Sequence, residues 1–173
     1  MGVLFEAIPS TFEEHLDESR SAEEVATELA LGKARNIASL HPDAFVIGSD
    51  TVVALGERQM EKPRDVEDAR EMITALAGHE SIVSTGIAIV NIDQNIALTK
   101  VGTTKIYFKP DSAEVAVLRE AYLASNDWKD KAGGYGIQSG AGTLIDRIDG
   151  DYDTVVGLPT TLLRSMLTEL EID

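Results

Sequence analysis

Apolar residues along this chain follow two spacings, and the alternation between them sketches the fold. From Ser21 to Pro42, Val25, Leu29, Ala30 and Ile37 recur at the period of one helix face. Ser21 with Glu24 three residues later makes a capping box, so a helix is expected from about Ala22 to Leu40. Ala44 to Gly48 (AFVIG) is continuously apolar, the pattern of a strand buried on both faces, and Ser49-Asp50-Thr51 stands at its carboxyl end. After a turn at Leu55-Gly56-Glu57, Asp65 caps a second helix through Ala77 that Gly78 stops. Ser81 to Ile92 and Ile96 to Phe108 read as two long strands joined by a hairpin at Asp93-Gln94-Asn95. Ser112, with Val115, Leu118, Tyr122 and Leu123, opens a third helix. A glycine-rich stretch, a strand over about Thr143 to Ile148 and a helix from Pro159 through Leu167 follow. Val3 to Ile8 reads as a short strand ended by Pro9 and Ser10. Helices alternating with strands that can pair antiparallel predict an α/β fold with a mixed sheet.

The 173 residues suit one domain, or two small lobes sharing a core. Thirty acidic against 15 basic residues give a net charge of -15, which repels nucleic-acid backbones and anionic membranes. That charge does not exclude a small anionic ligand, because lysines and a divalent cation can reverse the field within one cleft. With no cysteine there is no disulfide, thiolate nucleophile or Cys-based metal site, and the histidines at 15, 41 and 79 make no metal-spaced pair. No apolar run reaches a membrane span and no secretory signal is visible, so a cytoplasmic protein is expected.

Several residues carry candidate chemistry, each with a plainer reading beside it. Asp50, at the end of a core strand, stands where open α/β sheets form ligand crevices, and equally where a cap or a solvated turn acid would stand. The run Glu13, Glu14, Asp17, Glu18 offers oxygen ligands to Mg²⁺, or is a solvated acidic loop. Lys33 lies among apolar helix positions and either faces inward or snorkels. Lys62 is pinned beside Pro63, where it could meet a phosphate or face water. In the segment Asp130 to Gln138, glycines permit close backbone approach to a ligand, Lys131 adds a cation, and the Gln138 amide can donate to and accept from a nucleobase edge. The same segment also reads as a structural turn. Together these are the parts needed to hydrolyse a nucleotide anhydride, and no Walker A loop is present.

The strings IGSDTVV (47–53), Lys62-Pro63, LAGH (76–79), STG (84–86), DKAGGYGIQ (130–138), GDY (150–152) and VVGLP (155–159) occur in one order along nearly the whole chain. In this the chain resembles the Maf family of nucleoside triphosphate pyrophosphatases. The resemblance implies an ITPase-like fold with a mixed sheet, flanking helices and two lobes around a cleft. It also implies a single domain over 1–173, homodimers, and hydrolysis of a nucleoside triphosphate to monophosphate and pyrophosphate with Mg²⁺ or Mn²⁺. By position, Asp50 corresponds to the proton acceptor, Glu13 and Lys33 to the active-site Glu and Lys, and Lys62 to the Lys of the GKP-type motif. Glu13 with Asp50 would hold the metal, Lys131 would bind substrate, and Thr51 and Gln138 fall where the family sets base specificity. Thr51 together with YGIQ is similar to the branch preferring dTTP and UTP, with modified pyrimidine nucleotides as further substrates.

Three departures stand out. Glu61 and Ser139 occupy positions where the family usually has Gly. The family's first buried strand, its Ser-x-Ser-Pro-Arg-Arg loop and the helix after it have no counterpart here. Loss of that strand is expected to leave neighbouring backbone unpaired, at about 1–3 kcal/mol per buried group. The absent arginines motivate an alternative to catalysis: a nucleotide-binding, regulatory protein of the septum-formation type.

Overall fold

A computed structural model of the chain describes residues 4–14, 17 and 19–172. The elements run α1 (Ala22–Ala38), β1 (Val46–Leu55), β2 (Arg58–Met60), α2 (Val66–Leu76), β3 (Glu80–Asn91), β4 (Ile96–Phe108), α3 (Ala113–Ser125), two short 3-10 turns, β5 (Ile145–Asp149), α4 (Tyr152–Val156) and α5 (Thr160–Glu169). The strands form one sheet in the order β2-β1-β3-β4-β5.

Every neighbouring pair in this α/β sheet is antiparallel, where a mixed sheet was expected. The reason is topological. The β1–β2 turn reverses the chain, and the α2 crossover then returns β3 in the direction of β2, but β3 docks beyond β1. The two parallel strands are thereby separated by β1. Because β2 pairs only with Val53–Leu55, the outer edge of β1 over residues 46–52 has no strand beside it among the described residues.

One face of the sheet is covered by α1. Gly48 and Gly86 let the helix come down onto the strands, since a Cβ at Gly48 would lie 2.4 Å from the Ala30 carbonyl oxygen and one at Gly86 would lie 2.3 Å from that of Ala26. Val25, Ala26, Leu29, Ala30 and Ala34 fill the contact, with Val52, Ala54, Ala88 and Val90 below them. The opposite face carries two layers. At the start of β3, α2 and α3 pack over Val53, Val83 and Ile106. At its far end, α5 packs Leu163, Met166 and Leu167 on Ile87 and Ile89. Between those layers, α4 is hung from the sheet by hydroxyls: Ser49, Thr104 and Thr85 donate to the backbone carbonyls of Gly157, Asp151 and Thr154 at 2.7, 2.9 and 2.7 Å.

Helix ends follow the local chemistry. Ser21 Oγ accepts from the Glu24 N–H at 3.2 Å, and Glu24 Oε2 accepts from the Ser21 N–H at 3.0 Å, which satisfies two donors that the first helical turn leaves open. Ser21→Ala is expected to lower stability by about 1 kcal/mol and the thermal midpoint by about 2–4 °C, measured by circular dichroism.

Three further sequence expectations change. Residues 4–8 form no strand: Leu4 is 99% and Phe5 86% exposed, and the segment pairs with none of the five strands, without which an alternating run has no stability as a strand. Val3 lies outside the described residues. The AFVIG run is not buried on both faces, as Ile47 is 41% exposed where α1 covers only the other side. Strand β1 also continues through Leu55, so Asp50 sits in its middle and not at its carboxyl end.

Candidate active site

A cleft of about 550 Å³ opens between the glycine-rich segment and α4. Val53 and Val83 form its floor. Asp50, Thr51, Lys62, Lys131 and Gln138 line it, so five of the residues singled out in the sequence meet there despite lying as much as 88 positions apart. Asp50 belongs to the α1 face of β1 and Thr51 to the other. Both reach one cleft because the strand edge between them is open.

Lys33 joins the site from α1. Its Nζ donates to Asp50 Oδ1 and forms an ion pair with Glu14 Oε1 at 2.7 Å, so two carboxylates converge on one ammonium. Helix α1 can deliver that ammonium because Gly48 and Gly86 seat the helix close to the strand that carries Asp50. Glu14 is brought in by the preceding segment. Ser10 Oγ and the Thr11 N–H donate to Asn36 Oδ1 at 3.0 and 3.1 Å, and Phe12 packs over Gly32.

The acidic run is therefore divided. Glu14 pairs with Lys33. Glu13 is exposed next to it and is not among the cleft-lining residues. The Asp17 side chain turns to Ser19, while its carbonyl accepts from the buried Gln59 amide at 3.1 Å, which ties the run to β2. Glu18 lies outside the described residues.

Electrostatics follow from this packing. Burial raises the Asp50 pKa above the ordinary aspartate value, and the hydrogen bond and charge of Lys33 oppose that rise without cancelling it. Burial acts to lower the Lys33 pKa, but the Asp50 and Glu14 carboxylates outweigh it, so Lys33 stays protonated. The Lys33 hydrogen bond lowers Glu14, against a smaller rise from burial. A buried carboxylate held ionised by a fixed cation, with its proton affinity raised, is suited to accept a proton from water.

The far wall is equally tied together. The Gly133 N–H donates to the Glu61 carbonyl at 3.0 Å, which locks the Lys62-Pro63 turn to the glycine-rich segment. Ser139 Oγ donates to the Gly136 carbonyl at 2.8 Å, so the serine found in place of the usual glycine closes that turn. The Lys131 side chain runs across Gly136. Tyr135 is structural: burial pushes its phenol up to about 12, its OH meets Ser81 Oγ at 3.1 Å, and its ring packs edge-on against Phe108.

A hard cation takes carboxylate oxygens and fills its remaining positions with water and phosphate. Among the described residues no three His, Asp or Glu side chains cluster as a self-sufficient metal site. Asp50 and Glu14 converging on Lys33 do supply the kind of all-oxygen donor set that fits a cation arriving with a phosphate ligand. No described helix is long and apolar enough to cross a membrane.

The model of the family described as "Maf-like protein" matches residues 1–170. A dTTP/UTP pyrophosphatase of Clostridium botulinum strain Hall is 41% identical over 148 residues, covering 84% of this chain and 75% of that protein. One from Dictyoglomus thermophilum is 36% identical over 171 residues, 98% of this chain and 87% of that protein. Another, from Vibrio parahaemolyticus, is 38% identical over 160 residues, covering 92% and 82%.

Proposed function

We propose, from the premise that this chain belongs to the Maf family, that its cleft hydrolyses dTTP and UTP to the monophosphate and pyrophosphate. One observation carries the reading: Asp50, paired with the Lys33 ammonium that Glu14 also engages, opens into the same cleft as Lys62, Lys131 and Gln138.

In this reading Asp50 orients the attacking water and takes its proton. Lys33 keeps Asp50 ionised and, with Lys62, offsets the charge that develops on the departing pyrophosphate. Lys131 binds the phosphate chain across the glycine-rich wall. Thr51 and Gln138 read the base. Glu13 and Asp50 hold Mg²⁺ or Mn²⁺, with Glu14 as an adjacent oxygen donor. When bound, the cation neutralises phosphate charge and polarises the scissile anhydride. Modified pyrimidine triphosphates belong to the same substrate class, since no group named here depends on the pyrimidine 5-position. The working unit is a single domain over residues 1–173, assembled as a homodimer in the cytoplasm, where free nucleoside triphosphates are found. A chain of net charge -15 has no nucleic-acid polymer as partner.

Purified chain incubated with dTTP or UTP and Mn²⁺ is expected to release pyrophosphate, and EDTA is expected to stop it. Binding of dTTP seen by calorimetry without turnover would replace catalysis by nucleotide sensing.

The pH profile tests the base assignment. Asp50 works when ionised, so kcat/KM is expected to fall as pH drops through a pKa above the ordinary value of 3.8. Lys33→Gln removes the cation that opposes the rise, so the acid limb moves to higher pH. An acid limb unmoved in Lys33→Gln would take Asp50 out of that role.

A further inference from the structure

Thr51 and Thr85 face each other across the β1–β3 ladder, with their hydroxyl oxygens 2.8 Å apart. Thr85 is fully buried, and its oxygen lies 2.7 Å from the Thr154 carbonyl oxygen in α4. A carbonyl only accepts, and two oxygens at that distance with no proton between them would repel. The single Thr85 proton therefore points at Thr154. Only the Thr51 proton is left for the 2.8 Å contact, so Thr51 donates to Thr85 and turns only lone pairs toward the cleft it lines.

We infer that Thr85 is a specificity-determining residue acting through Thr51: by fixing the direction of that hydroxyl, it makes Thr51 an acceptor that reads the N3–H of a uracil or thymine ring. This rests on the proposal that Thr51 contacts the base. Uracil and thymine present acceptors at O2 and O4 and one ring donor, N3–H, so a hydroxyl without a free proton can meet them only at N3. Seated in the same position, cytosine presents a lone pair at N3, which would face the lone pairs of Thr51, and its 4-amino donor stands where uracil and thymine carry the O4 acceptor. The oxygens of the ring are left to Gln138, whose amide nitrogen can donate to either. Rejection arises because a mismatched polar edge stays unpaired in the cleft.

Thr85 is not among the residues that line the cleft, so it can be changed without altering a side chain that faces the substrate. Thr85→Val keeps the shape of the side chain but cannot accept from Thr51, whose hydroxyl then rotates freely and can donate to cytosine N3. Thr85→Ser keeps both hydrogen bonds. The experiment measures kcat/KM for UTP and CTP with Mn²⁺ in the full chain and in both variants. In the unmodified chain UTP is expected to exceed CTP by about tenfold or more. Thr85→Val is expected to cut that ratio by about tenfold, while Thr85→Ser keeps it. If the unmodified chain hydrolyses UTP and CTP alike, the assignment of Thr51 to the base fails and the inference falls with it. If the unmodified chain discriminates and folded Thr85→Val discriminates as well, only the role of Thr85 is overturned. Should Thr85→Val not fold, 3-methyluridine triphosphate on the unmodified chain decides: it lacks the N3–H, and turnover equal to that of UTP overturns the inference, whereas a drop of about tenfold or more supports it.

Discussion

Asp50→Asn is expected to lower kcat for dTTP by about a thousandfold, the scale on which a positioned general base contributes, with the fold intact. The amide has the shape of the carboxylate and cannot take a proton from water. Burial raises the Asp50 pKa, which means that ionising this group costs the folded state stability. The sign follows: the folded chain holds the proton more tightly than the unfolded chain, so stability falls as pH rises through the interval between the two pKa values. A neutral Asn is free of that cost, and Lys33 retains Glu14 as partner. The thermal midpoint of Asp50→Asn at neutral pH should therefore equal or exceed that of the unmodified protein. Loss of activity together with a lowered midpoint would point to a structural role for Asp50 instead.

Gly86→Ala produces the second large effect, and it acts on the same centre from outside it. Its Cβ would stand 2.3 Å from the Ala26 carbonyl oxygen, 2.6 Å from the carbonyl carbon and 2.8 Å from Thr27 Cα. All three are helix backbone, so no side-chain rotation relieves the clash and α1 has to lift from the sheet. The expected cost is about 3 kcal/mol, and the thermal midpoint should fall by about 6–12 °C. Asp50 is the register partner of Gly86, and Lys33 lies two helical turns from Ala26 on the same face. Lifting α1 draws the ammonium away from the carboxylate, so kcat should also drop by about tenfold or more in the protein that remains folded. Both are read from thermal unfolding and steady-state turnover of dTTP.

Much of this was legible in the sequence, for identifiable reasons. The capping box at Ser21, the Asp65 cap, the Gly78 stop and the hairpin at 93–95 are local signals, and each lies where it was expected. Lys62, Lys131, Gln138, Thr51 and Asp50 were marked by motif and do share a cleft. What escaped is set by long-range packing. The strand carrying Asp50 extends past it because Val52, Val53 and Ala54 pair with β3, and an apolar run cannot announce its own partner. Glu14 and Glu13 are indistinguishable in an irregular acidic segment. The approach of Glu14 to Lys33 goes with the anchoring of Ser10 and Thr11 to Asn36, a contact across 25 or more positions that has no periodic signature. Helix α4 is too short to show a period. Its place depends on three sheet hydroxyls that read in sequence as ordinary strand residues.

The central claim is that water, activated by Asp50, attacks the α-phosphorus of a pyrimidine nucleoside triphosphate. Hydrolysis of dTTP in ¹⁸O-enriched water, followed by phosphorus NMR and mass analysis of the products, tests it most directly. The account predicts dTMP carrying the heavy oxygen and unlabelled pyrophosphate in equal amounts. Formation of dTDP and orthophosphate, or label in the pyrophosphate, would contradict it.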